Sequence, residues 1–157
     1  MTAPMIKQLP ITVNSARKTD VRTQFAALCW RVMDGKVQLL LITSRGSGRW
    51  IVPKGWPMDG QTPGEAALTE AWEEAGVLGK VDWRPVGLYS YSKSVDDDSD
   101  MPCVAMVYPV RVKSLAKTFP EALERKRRWV GRKKAARLVE EPELAQIIRD
   151  FDPKILT

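Results

Sequence analysis

Histidine is absent from the 157-residue sequence. That excludes Ser-His-Asp and Cys-His catalytic arrangements and any histidine-ligated zinc. The only two cysteines, Cys29 and Cys103, are too few for a four-thiolate zinc site and read as ordinary thiols of a reducing compartment. No apolar run approaches the roughly 18–20 residues of a membrane-spanning helix. The opening MTAPMIKQLP lacks the apolar stretch of a signal peptide. These absences lead us to expect a cytoplasmic protein with no membrane partner. Acid–base chemistry falls to carboxylates, Lys, Tyr or metal-bound water.

What is present suits one folded domain. With 44% hydrophobic and 28% charged residues, the chain is too apolar for disorder and too charged for a membrane protein. Residues 1–20 are polar and aperiodic and are expected to form a flexible arm; residues 21–157 are expected to form a single domain. The formal charge of +6 favours anionic partners without identifying them. FAALCWRVMDGKVQLLLIT reads as two strands around an Asp34-Gly35 hairpin turn. WIVP is a short strand, followed by a Gly- and Pro-rich loop from Lys54 to Gln61. CVAMVYPVRV and RRWV read as strands, KKAARLV and PELAQIIRDF as short helices, and VDDDSDMP as an acidic loop. A mixed β-sheet covered by helices follows, an α/β or α+β sandwich.

The strongest helix signal begins at Thr62. Thr62 as N-cap, Pro63 at the first helical position and Glu65 three residues on form a capping-box pattern, and Gly76 supplies the stop. At about 100° per residue, Glu73 lies about −60° and Glu74 about +40° from Glu70, so all three share one face. Leu68, Ala71, Trp72 and Ala75 fall opposite and are expected to pack on the sheet. Such carboxylates are hard oxygen ligands for Mg²⁺ or Mn²⁺. Taken alone, they describe a solvated acidic face, a common helix surface, better than a metal site.

The wider stretch from Gly55 to Val77, GWPMDGQTPGEAALTEAWEEAGV, resembles the box of the Nudix hydrolases. In that box a glycine is followed after five residues by Glu, then after seven by Arg-Glu-apolar-x-Glu-Glu-x-Gly-apolar. Gly55 takes the first place, Glu70, Glu73 and Glu74 the carboxylates after the Arg place, and Gly76 and Val77 the end. RWIVPKGW, EEAGVLGK and RKRRWV look most like the branch acting on diphosphoinositol polyphosphates and diadenosine polyphosphates. Two places depart: Gln61 stands for the first Glu and Thr69 for the Arg. An Arg at position 69 would lie four residues before Glu73, so its loss removes a local counter-charge from the glutamates.

The resemblance implies a Nudix-type α/β/α sandwich with a mixed β-sheet, and hydrolysis of a pyrophosphate bond with Mg²⁺, or Mn²⁺ as an alternative ion. Glu70, Glu73 and Glu74 are the expected metal ligands and catalytic residues. Glu121 and Glu124 are candidates for an additional acid or base. Lys54, Gly55, Arg45, Arg22 and Lys93 are the expected substrate-binding residues, with solvated surface cations as the plain alternative. The expected partner is an anionic polyphosphate small molecule, bound by a monomer or homodimer; RNA is the less favoured partner. Removal of pyrophosphate from RNA 5′ ends and a weakly active nucleotide sensor are the alternative functions. The basic stretch RKRRWVGRKKAAR suits a polyphosphate or an RNA backbone, or a solvated basic edge.

Overall fold

The computed structural model describes residues 21–96 and 99–156. The arm expected over residues 1–20, and Asp97 and Asp98 of the acidic run, lie outside them. The order is β1 (Arg22–Met33), β2 (Lys36–Thr43), β3 (Trp50–Ile51), β4 (Lys54–Gly55), α1 (Pro63–Ala75), β5 (Val77–Val81), β6 (Gly87–Asp96), β7 (Ser99–Leu115), β8 (Arg127–Gly131), α2 (Arg132–Leu138) and α3 (Pro142–Asp150). A 3₁₀ turn over Pro153–Leu156 follows, which the sequence did not suggest.

The strands form one mixed sheet. Its path is β3-β2-β1-β7-β5, with β4 also on β1, β6 on β7 and β8 on β2. β1 and β7 run parallel, and the other pairs are antiparallel. The expected hairpin turn forms at Asp34 and Gly35, both at positive φ (53° and 76°), as its right-handed twist requires.

The central strands are buried on both faces, so alternate residues feed two cores. From β1, Ala26, Leu28 and Trp30 pack on one side with Leu144, Ile148 and Phe151 of the α2–α3 layer. Phe25, Ala27 and Cys29 pack on the other with Ala66, Ala67, Ala71 and Ala75 of α1. This is the expected α/β/α sandwich. Cys29 and Cys103 are buried free thiols, as their apolar strands suggested. Among the described residues, no helix is long and apolar enough to cross a membrane.

Three local expectations are corrected. β6 and β7 pair out to Asp96 and Ser99, so the acidic run is mostly the end of a hairpin rather than a loop. Lys54 and Gly55 leave the expected loop as a short strand on Ala26 and Phe25. Leu68 and Trp72 are only half-buried, while Glu70 and Glu74 lie on the buried side of α1 with its alanines. Small alanines bring the helix close to the sheet, and its buried arc is therefore shifted toward the glutamates.

Candidate active site

Helix α1 is held at both ends by local chemistry. The Glu65 backbone N–H donates to Thr62 Oγ1, and the Thr62 N–H donates to Glu65 Oε1, each at 3.2 Å. Gly76 ends the helix in the left-handed conformation, its N–H donating to the Trp72 carbonyl at 2.9 Å. The helix thus carries Glu70 and Glu74 to β4, where they are 9% and 6% exposed.

Gly55 makes room for this arrangement. A Cβ built there would overlap the Glu70 carboxyl. The Glu70 and Glu74 carboxyls share a hydrogen bond. Burial, that bond and the neighbouring glutamate charges push Glu70 up to about 9. Burial also raises Glu74, opposed by Glu70, Arg125 and Lys54. Glu73 is half-buried on the helix flank, and its carbonyl accepts the Glu121 N–H at 3.0 Å.

A counter-charge for the carboxylate helix comes from Arg125, which meets Glu74 rather than Glu73. Its guanidinium lies 3.5 Å from Glu74 Oε1 and 3.0 Å from Glu121 Oε1, with both Arg125 and Glu74 side chains under one tenth exposed. Arg125 also donates to the Thr43 carbonyl at 3.0 Å. Glu121 is therefore engaged as the partner of Arg125, and Glu124 lies outward, 3.8 Å from Arg45. In the sequence Arg125 belongs to the basic stretch, and nothing in its local pattern sets it apart.

The expected cations divide. Lys54 lies inside: burial pulls its ammonium below the usual lysine range, Glu74 opposes the shift, and its Nζ stands 5.1 Å from the Tyr91 ring. The Tyr91 hydroxyl donates to Gln24 Oε1 on β1. Lys93 is exposed, 5.0 Å over Trp56. Arg22 opens β1 opposite Cys103 of β7. Arg45 is 60% exposed and faces Glu121 and Glu124. Glu141, not singled out from the sequence, is buried at the start of α3. It accepts from Arg49 at 2.9 Å, while its Oε1 has no hydrogen-bond partner among the described residues. Nothing in its local pattern separates it from an ordinary helix-start glutamate.

The donor chemistry fits a divalent hard cation. Two buried carboxyls in contact carry a like-charge conflict that such an ion relieves. Among the described residues, no three acid or thiol groups form a ready-made cluster. Mg²⁺ nonetheless commonly takes one or two carboxylates, completing its octahedron with water and phosphate oxygens.

Comparison with known proteins bears on the family and the fold. The profile described as the NUDIX domain matches residues 22–151. "Nudix hydrolase 13, mitochondrial" of Arabidopsis thaliana is 32% identical over 75% of this chain and 61% of its own length. Human "Diphosphoinositol polyphosphate phosphohydrolase 3-beta" is 35% identical over 66% of this chain and 60% of its own. The chain thus spans about three fifths of the length of these relatives. The crystal structure of the C. elegans Ap4A hydrolase superposes with a TM-score of 0.60 at 17% identity, covering 87% of this chain and 99% of that one.

Proposed function

The chain belongs to the Nudix family, and from that premise we propose that it is a Mg²⁺-dependent pyrophosphohydrolase of highly charged polyphosphates. Diadenosine polyphosphates are the first candidate substrates and diphosphoinositol polyphosphates the second. Residues 21–157 form the catalytic unit in this reading. The observation that carries it is the buried Glu70–Glu74 pair, seated against Gly55 and flanked by Lys54 and Arg125.

In the proposed reaction a water oxygen adds to one phosphorus. The anhydride P–O bond breaks, and the bridging oxygen leaves with the other phosphate. A bound divalent ion would supply charge neutralisation and a more acidic water. Glu70 and Glu74 would hold it, with Glu73 beside them. Glu73 has no side-chain hydrogen bond or ion pair among the described residues, and we assign it the proton lost by water. Lys54 would hold a phosphate oxygen, and Lys93 and Arg22 would extend the cationic lining. Arg45 stays with Glu121 and Glu124 until substrate draws it inward.

A second reading rests on Gln61 and Thr69, which make the box neutral at two charged places: a sensor that binds nucleotide with little turnover. Product release from a panel separates the two. The panel holds diadenosine tetra- and pentaphosphate, a diphosphoinositol phosphate, ADP-ribose, nucleoside triphosphates and 5′-triphosphate RNA, each with Mg²⁺, Mn²⁺ or chelator. Metal-dependent cleavage of one polyphosphate class supports the enzyme. Cleavage confined to RNA redirects it to 5′ ends, and binding without product supports the sensor.

A further inference from the structure

At the far end of the sheet from Lys54 lies a cleft of about 840 Å³, between the β1–β2 turn, the start of α2 and the segment after α3. β1 connects the two regions. Ala26 pairs with Lys54, and Val32 lines the cleft, roughly 20 Å further along an extended strand. The cleft is therefore separate from the carboxylate site.

Its lining carries Lys36, Arg132, Lys133, Lys134, Arg137 and Lys154 against one carboxylate, Asp152. Asp152 already accepts the Lys154 backbone N–H at 3.0 Å, and Arg132 is turned to the Phe151 carbonyl. Lys36, Lys133, Lys134 and Arg137 are exposed, and their side chains make no hydrogen bond or ion pair among the described residues. Cations from the hairpin turn and from α2 thus meet around one recess whose lining holds a single carboxylate, Asp152. Their combined positive field favours entry of an anion, most strongly at low salt. The volume falls in the range of small-molecule pockets, about 300–1,000 Å³. A nucleic-acid strand would instead follow an extended basic groove.

We propose that this cleft is a second anion-binding site, which takes a compact polyphosphorylated small molecule independently of the carboxylate site. Chelator keeps divalent ions from the carboxylates during the test. The whole protein and its Lys133→Gln/Lys134→Gln/Arg137→Gln variant are titrated calorimetrically with inorganic tripolyphosphate. Amide NMR shifts locate the ligand. The proposal expects binding to the wild type that weakens steeply between about 0.05 and about 0.5 M salt. Shifts should cluster at Gly35–Val37 and Gly131–Arg137. The variant should bind at least about tenfold more weakly (one tenfold step is 1.4 kcal/mol), retain its folded spectrum and keep its metal-dependent turnover. Equal affinity in the variant, shifts confined to α1 and Lys54, or no binding would overturn it. Tighter binding of single-stranded RNA than of tripolyphosphate would overturn the small-molecule assignment.

Discussion

The Thr69 hydroxyl lies 3.2 Å from Gln61 Oε1, so the two residues that depart from the Nudix box touch each other. The hydroxyl also faces the Glu65 carbonyl at 3.0 Å. Places that carry opposite charges in the box pattern here carry a neutral hydrogen-bonded pair. The two positions are thus in contact, and on the carboxylate helix Glu74 takes its counter-charge from Arg125.

Coupling between these positions is measurable. Gln61→Glu alone introduces an unpaired charge and Thr69→Arg alone meets only Glu73 at i,i+4, whereas the double variant also pairs the two new charges with each other. Urea denaturation should give a coupling energy of roughly 0.5–3 kcal/mol in favour of the double variant. Additive single effects would show that the two positions act separately.

Arg125→Gln should be severely destabilising. It leaves Glu74 buried beside Glu70 without its cation and frees Glu121 and the Thr43 carbonyl. Breaking one partner of a buried ion pair costs about 3–5 kcal/mol. Chemical denaturation checks this; a loss below about 1 kcal/mol would assign the ion pair a minor role.

Gly55→Ala should act on the site more than on the fold. Gly55 is not in the left-handed region, so alanine brings no backbone strain there, but its Cβ displaces the Glu70 carboxyl. Mn²⁺ affinity, read by electron paramagnetic resonance, should fall roughly 10–100-fold, as for changes that support a ligand. Unchanged affinity would remove Glu70 from the ion's ligands.

Leu28→Ala should do the reverse. Leu28 is fully buried in the core under α2 and α3, and truncation should cost about 2–5 kcal/mol. Turnover per folded molecule should stay the same. A large fall in turnover at full folding would mean that this core also tunes the site.

Much of this fold was legible because its signals are local. The Asp34-Gly35 turn and the Thr62–Glu65 capping box each lie within a few residues and follow from their own chemistry. What escaped depends on tertiary contact. Arg49 meets Glu141 across 92 residues, and Arg125 reaches Glu74 from a separate loop. The helix angles put the glutamates together but not on the buried side, because that depends on how closely alanines let α1 approach β4. The basic stretch also divided in ways its composition did not show. Arg125 and Arg127 turn inward, Arg127 to the Ala75 and Ala116 carbonyls, while Lys133, Lys134 and Arg137 face the distant cleft.

The most direct test of the proposed chemistry is turnover of a diadenosine polyphosphate by the wild type and Glu73→Gln, side by side with Mg²⁺ and with chelator. Glu73 is half-buried and outside the Arg125 ion pairs, so its amide variant should fold normally. Mg²⁺-dependent product is expected from the wild type, and a rate about 10²–10⁴-fold lower from the variant, the usual range for losing an acid–base group. Equal turnover by the folded variant, or wild-type turnover that persists in chelator, would contradict the proposed chemistry.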